Sequence, residues 1–100
     1  MAISGIDHAA LARKVTVSRA TLTVELTDGR RVSVPLDWYP RLKHGSAAER
    51  KNWELIGAGD GLHWPGLDED ISVDGLLAGR RSGETARSLD RWLTERKRRR

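Results

Sequence analysis

Apolar and polar residues alternate through Val15, Val17, Leu22, Val24, Leu26, Val32, Val34 and Leu36. Period-two spacing with β-branched side chains predicts three strands, each burying one face. Asp28-Gly29 marks a turn between the second and third. A two-residue loop there would pair Glu25 with Val32 and put the apolar sets on opposite faces, a slip that a one-sided core disfavours. A three-residue loop, Thr27-Asp28-Gly29, pairs Val24 with Val32 and Leu22 with Val34. It also places Gly29 at the left-handed position of a type I turn with a bulge.

Pro35 lacks a ladder donor, so the third strand ends there or lies at an edge. Asp37 is a candidate cap for a short helical turn through Trp38, Tyr39 and Leu42, with Pro40 in its first turn. Ser46-Ala-Ala-Glu49 matches a capping box and predicts a helix from Ala47 to about residue 52. Trp53 to Ile56 and Leu62 to Trp64 read as two strands of a hairpin closed by Gly57-Ala-Gly-Asp-Gly61, and Pro65-Gly66 ends the second. Ser72 is a candidate cap for a short helix ending before Gly79. From Glu84 the period becomes helical through Ala86, Leu89, Trp92 and Leu93, with Ser82 as the expected cap.

The expected fold is therefore α+β: a small antiparallel β-meander plus a hairpin, with short helices and a C-terminal amphipathic helix. Residues 1–14 form an N-terminal arm, 15–79 the core domain, 80–83 a linker and 84–100 the C-terminal helix with its basic tail. The stretch from Trp53 to Leu77, dense in Gly, Trp and acids, is what the rest is arranged around.

The length of 100 residues allows one domain. Apolar residues make up 38% and Phe is absent, so the four Trp carry much of the aromatic packing. Zero Cys excludes disulfides and thiolate metal sites and fits a reducing, cytoplasmic setting. No apolar run reaches the ~20 residues of a membrane span. The first residues lack the basic and apolar regions of a secretory signal. Net charge is +4, but its distribution is uneven. Residues 91–100 hold six basic residues and one acid, whereas residues 1–90 hold twelve basic and thirteen acidic. The high pI is thus a property of the tail, and overall pI does not make the body a nucleic-acid binder.

Asp68-Glu69-Asp70, with Asp74 and His63 nearby, offers oxygen ligands for a divalent ion. The run does not follow an EF-hand pattern, and acids at a helix start explain it more simply. His63, Ser72 and an Asp make a nominal triad without a nucleophile elbow. Gly57 to Gly61 lacks the Lys and Ser/Thr of a phosphate loop and is not followed by a helix. Trp38-Tyr39-Pro40-Arg41, with Trp53 and Trp64, is the residue mixture that protein interfaces favour, and equally what a Phe-free core needs. Arg91 and the run Arg96-Lys97-Arg98-Arg99-Arg100 could meet phosphates, or simply solvate a frayed helix end. No interleaved aromatic stands in that run for base stacking.

Trp38-Tyr39-Pro40-Arg41-Leu42, then Trp53, Gly61-Leu-His-Trp-Pro65, Leu67-Asp-Glu-Asp-Ile-Ser-Val73 and Gly75-Leu-Leu77 resemble the bacterial domain-of-unknown-function family DUF2442. The resemblance spans roughly Val15 to Gly79. It implies a small α+β domain, which in one relative from a nitrifying bacterium precedes a helix-turn-helix module. It also implies genes that often lie beside another small gene, in the manner of a toxin–antitoxin pair. No catalytic residue comes with the family. The 17 residues after Gly83 allow one helix here, so operator reading by a recognition helix is not expected.

The reading that follows is a non-enzymatic protein-interaction module, antitoxin-like, with no cofactor and no metal. Trp38, Tyr39, Arg41, His63, Trp64, Asp68 and Asp70 are the expected contacts with a small protein encoded nearby. The alternative is a nucleic-acid-binding accessory that uses Arg91, Arg96, Lys97, Arg98, Arg99 and Arg100. No membrane is implied, and self-association is left open.

Overall fold

A computed structural model describes residues 10–99. Strands β1 (Ala12–Val17), β2 (Thr21–Leu26) and β3 (Arg31–Pro35) form one antiparallel sheet in that order. A 3-10 turn at Leu36–Trp38 leads into α1 (Pro40–His44) and α2 (Ala47–Lys51). Strands β4 (Glu54–Ile56), β5 (Gly61–Trp64) and β6 (Glu69–Ser72) form a second antiparallel sheet, again in chain order. Helices α3 (Val73–Leu77) and α4 (Ala86–Arg98) complete the described chain. No helix among the described residues is long and apolar enough to cross a membrane.

The first sheet pairs in the register that the three-residue loop requires. Val24 pairs with Val32 and Leu22 with Val34, and Gly29 sits at φ +94° in the three-residue loop. The alternation sorts residues cleanly. Leu22, Val24, Leu26 and Val34 face the core, while Thr23 and Ser33 share a 2.9 Å hydrogen bond on the outer face. The capping box is present in full: Glu49 N–H donates to Ser46 Oγ, and Ser46 N–H to Glu49 Oε1. Ser72 caps α3 by accepting from Gly75 N–H.

Four local expectations change. Strand β1 begins at Ala12, inside the stretch read as an arm, and residues 1–9 of that arm lie outside the described residues. Asp37 does not cap α1; Tyr39 occupies that position without a side-chain bond, and Asp37 instead accepts from Lys43 Nζ. Thr85, not Ser82, caps α4, because Ser82 Oγ accepts from the N–H of Glu84, two residues before the helix begins. The Trp-bearing hairpin gains a third strand: the acidic run is β6, paired through His63–Asp70 and Trp64–Glu69.

The two sheets share one core of Leu22, Leu36, Leu42, Leu62, Trp64 and Leu67, all essentially inaccessible to solvent. They are also joined through backbone. Ala12 N–H donates to Gly59 O at 2.7 Å, where β1 carries an irregularity between Ala12 and Lys14. Gly59 is buried at φ +121°, and a Cβ there would stand 2.6 Å from Ala12 O, so only glycine fits.

Candidate functional site

The predicted contact residues separate into three groups. Trp64 and Tyr39 belong to the core, at 0% and 4% exposure, which removes both from any contact surface. Their polar atoms are also committed: Trp64 Nε1 donates to Arg50 O at 3.0 Å, and Tyr39 Oη to Arg80 O at 3.0 Å. Burial pushes the Tyr39 phenol above its ordinary range, with the nearby Glu69 adding to it.

Arg41 and Trp38 work inside the molecule. Arg41 Nε and Nη2 donate to the two oxygens of Glu84 at 2.6 and 3.3 Å, and Nη1 donates to Asp68 O at 3.2 Å. Asp68 reaches φ +51° in offering that carbonyl. Ser88 Oγ donates to the same Glu84 carboxylate. The Arg41 hydrogen bonds hold the Glu84 carboxyl below its usual value. Arg41 also lies 5.1 Å from the centre of the Trp92 ring, and Arg96 lies 4.6 Å from it. Arg96 donates both terminal nitrogens to Glu49, at 3.0 and 2.8 Å, and pulls the Glu49 carboxyl down to about 2. This set fastens α4 to α1 and α2. No residue of α4 is fully buried, so its attachment rests on ion pairs, the Trp92 ring and half-buried Leu89 and Leu93. Arg81 stacks 4.8 Å over Trp38 and covers it from the linker, while Ser82 N–H binds Trp38 O.

Glu69 sits under this clasp and is the buried charged residue of the described core. Burial raises its carboxyl to about 7; Arg41 opposes the shift, while Glu84, Asp70 and Asp68 reinforce it.

His63, Asp68 and Asp70 stay at the surface, although the Asp68 carboxylate also lies 3.6 Å from Arg41 Nη1. His63 and Asp70 are cross-strand partners on the outer face of the second sheet, with Nδ1 and Oδ1 2.5 Å apart. Glu54 is His63's partner on the other side. The Asp70 hydrogen bond raises the His63 imidazole above its ordinary value. The pair stands on an open sheet surface, not in a cleft. Among the described residues no three His, Asp or Glu side chains gather as a metal site.

The C-terminal cations also divide. Arg96 is consumed by Glu49 and Trp92, so it is a structural residue and not a phosphate contact. Arg91, Lys97, Arg98 and Arg99 are exposed, and Arg100 lies outside the described residues.

One surface was not anticipated. Beside β1 an open groove of about 440 Å³ runs along Val15–Arg19, with Ala47, Arg50, Lys51 and Trp53 forming its other wall. Arg19 and Lys51 are exposed, Trp53 is half-buried, and no carboxylate lines the groove. Arg50 Nε and Nη2 donate to Leu42 O and Lys43 O, which fixes the guanidinium without neutralising it. Alternation in the sequence identifies strands but not which of them is left at an edge, so this groove had no local signal.

The comparisons follow the same outline. Residues 12–82 match the family described as "Protein of unknown function (DUF2442)", a span that ends before α4. No curated protein matches the chain at a significant level. A protein of unknown function from Rhodospirillum rubrum, solved by crystallography, is 32% identical with a TM-score of 0.64; the match covers 80% of this chain and 96% of that one. An uncharacterized protein from Chromobacterium violaceum, solved by NMR, is 22% identical with a TM-score of 0.65, covering 85% of this chain and 78% of the other, and shares the fold. The family match over 12–82, most of its length, shows that this chain belongs to the DUF2442 family.

Proposed function

We propose that this chain is a non-enzymatic protein-interaction module, the antitoxin-like member of a two-gene pair. The observation that carries the reading is the open groove between the β1 edge and α2, walled by cations and a half-buried Trp. Interfaces favour this residue mixture at their centres. The acidic outer face around His63, Asp68 and Asp70 offers a second contact area of opposite sign. Masking of a small partner then needs no bond chemistry, only complementary charge and shape.

The test is calorimetric titration of the full chain with the protein encoded by the adjacent gene. Arg19→Glu combined with Lys51→Glu is expected to weaken binding roughly tenfold or more, since two attractive rim charges become repulsive. Asp68→Ala with Asp70→Ala weakens it less. Unchanged affinity in both double variants, with circular dichroism intact, removes the reading.

A second reading has its own observation. Arg87, Arg91 and Arg98 project from the face of α4 opposite its docked side, and none forms an ion pair among the described residues. Such a stripe suits the phosphate backbone of a nucleic acid. On that reading, affinity for duplex DNA falls steeply with salt, and replacing the three arginines with Gln lowers the log–log slope by about three. A slope unaltered by the replacements excludes α4 as the contact.

A further inference from the structure

We infer that the groove beside β1 is a strand-addition site, whose occupant is an extended acidic segment of the partner. This rests on the interaction reading above and specifies the partner's chemistry.

The first support is the state of the edge. In an antiparallel pair, residues bonded across the ladder alternate with residues whose N–H and C=O point away. Ser18 N–H donates to Thr21 O, which puts Ser18, Thr16 and Lys14 in the bonded positions opposite Thr21, Thr23 and Glu25. Val15 and Val17 therefore turn their N–H and C=O outward, into the groove. The other edge of the same sheet is defended. Leu36 N–H donates to Ala20 O and Leu26 N–H to Arg30 O, so Arg31, Ser33 and Pro35 are the outward residues of β3. Pro35 has no N–H, and proline on an edge blocks a further strand. The irregularity in β1 lies between Ala12 and Lys14, upstream of the groove, and leaves Val15–Val17 regular.

The second support is charge. The lining holds Arg19, Arg50 and Lys51 and no acid. A strand seated on Val15 and Val17 would have its side chains on one face beside these cations, where glutamate or aspartate is attracted and lysine repelled. The Trp53 ring on the opposite wall can pack a β-branched residue of the same segment. Two steps from Val15 to Val17 advance about 7 Å at strand rise, enough to pair an extended run of about three residues before the chain turns at Arg19. Main-chain bonds supply the affinity and the cations set the preference, the usual division in strand addition.

The test uses the isotopically labelled full chain and a capped synthetic hexapeptide of alternating Glu and Val. Three controls accompany it: the Lys–Val counterpart, an N-methylated Glu–Val peptide, and the protein alone at several concentrations. Expected are slowed exchange and shifted amide signals at Val15 and Val17 on adding the Glu–Val peptide. The Lys–Val peptide and the N-methylated peptide should each bind at least about tenfold more weakly. The double variant Arg19→Glu with Lys51→Glu should reverse the preference toward the Lys–Val peptide. Equal binding of the N-methylated peptide overturns strand pairing. Shifts confined to Arg87, Arg91 and Arg98 assign the acidic peptide to α4 and overturn the site. Protection of Val15 and Val17 without peptide, growing with protein concentration, makes a second copy the occupant and also overturns it. If the peptide fails while partner binding still depends on Arg19 and Lys51, strand addition falls and the interaction reading stands.

Discussion

Trp64→Ala is expected to cost about 3–5 kcal/mol, enough to leave a domain of this size largely unfolded at 37 °C. The indole is wholly enclosed between the two sheets and meets the shared core of Leu22, Leu36, Leu42, Leu62 and Leu67. Its removal opens a large void and strands the Arg50 carbonyl that Nε1 now satisfies. Urea midpoints and near-ultraviolet dichroism measure the effect. Trp64→Phe separates the two causes, because it keeps most of the ring and loses the N–H; about 1–2 kcal/mol is expected. A urea midpoint unmoved by Trp64→Ala would refute the enclosed position. The matching alanine at Trp38, half-buried and covered by an exposed arginine, should cost clearly less.

The second large effect depends on pH. Glu69 titrates at about 7 in the folded chain against an ordinary value of 4.5. Below 4.5 both states hold the proton, so the residue costs nothing. Between 4.5 and 7 the folded state holds a proton that the unfolded chain has released, so stability falls as pH rises through that window. Full ionisation costs on the order of 3 kcal/mol, a figure in which the attraction of Arg41 is already counted. Glu69→Gln is therefore expected to raise stability at pH 8, leave it nearly unchanged at pH 4.5 and flatten the profile between. Urea titrations at pH 5, 6.5 and 8 check it. His63 has the same sign in a neighbouring window: its raised value gives stability that is present below 6.5 and lost above its folded value. The slope that survives in Glu69→Gln belongs to His63 and should disappear on adding His63→Gln. Glu49, held at about 2, acts in the opposite sense, its contribution fading as pH falls from 4.5 toward 2. Acid is thus expected to weaken the Arg96–Glu49 tie between α4 and α2.

What the sequence disclosed was local. The capping box at Ser46 and Glu49, the cap at Ser72 and the three-residue loop at Gly29 are decided within a few residues, by hydrogen-bond reach or by the parity of two strands. Glu69 defeats the same logic. A charged residue flanked by two others reads as surface, and only pairing with Trp64 across β5–β6 draws it under the clasp. Among Trp38, Trp53, Trp64 and Trp92, composition says that aromatic packing is needed but not which indole supplies it. The structure encloses Trp64 and uses Trp92 as a platform for two arginines, which no spacing rule would separate. Arg96 illustrates the same limit from the charge side. Within a basic run every cation looks free, yet one is held by a carboxylate 47 positions earlier. His63, Asp68 and Asp70 were legible only as polar surface positions, His63 and Asp70 on strands and Asp68 in the turn between them. The groove was not, because it is made by α2 and Trp53 arriving beside a strand some thirty residues upstream.

Among the described residues, each sheet pairs its strands in chain order, with no crossover in either. Loop closure between such neighbours is entropically cheap, and chains built this way fold quickly for their β content. Sheet one has all its partners once Pro35 has been synthesised, and sheet two once Ser72 has. The contacts that span the longest stretch of chain are those between the sheets, such as the Ala12–Gly59 bond, so local closure of each sheet followed by docking is the expected order of assembly.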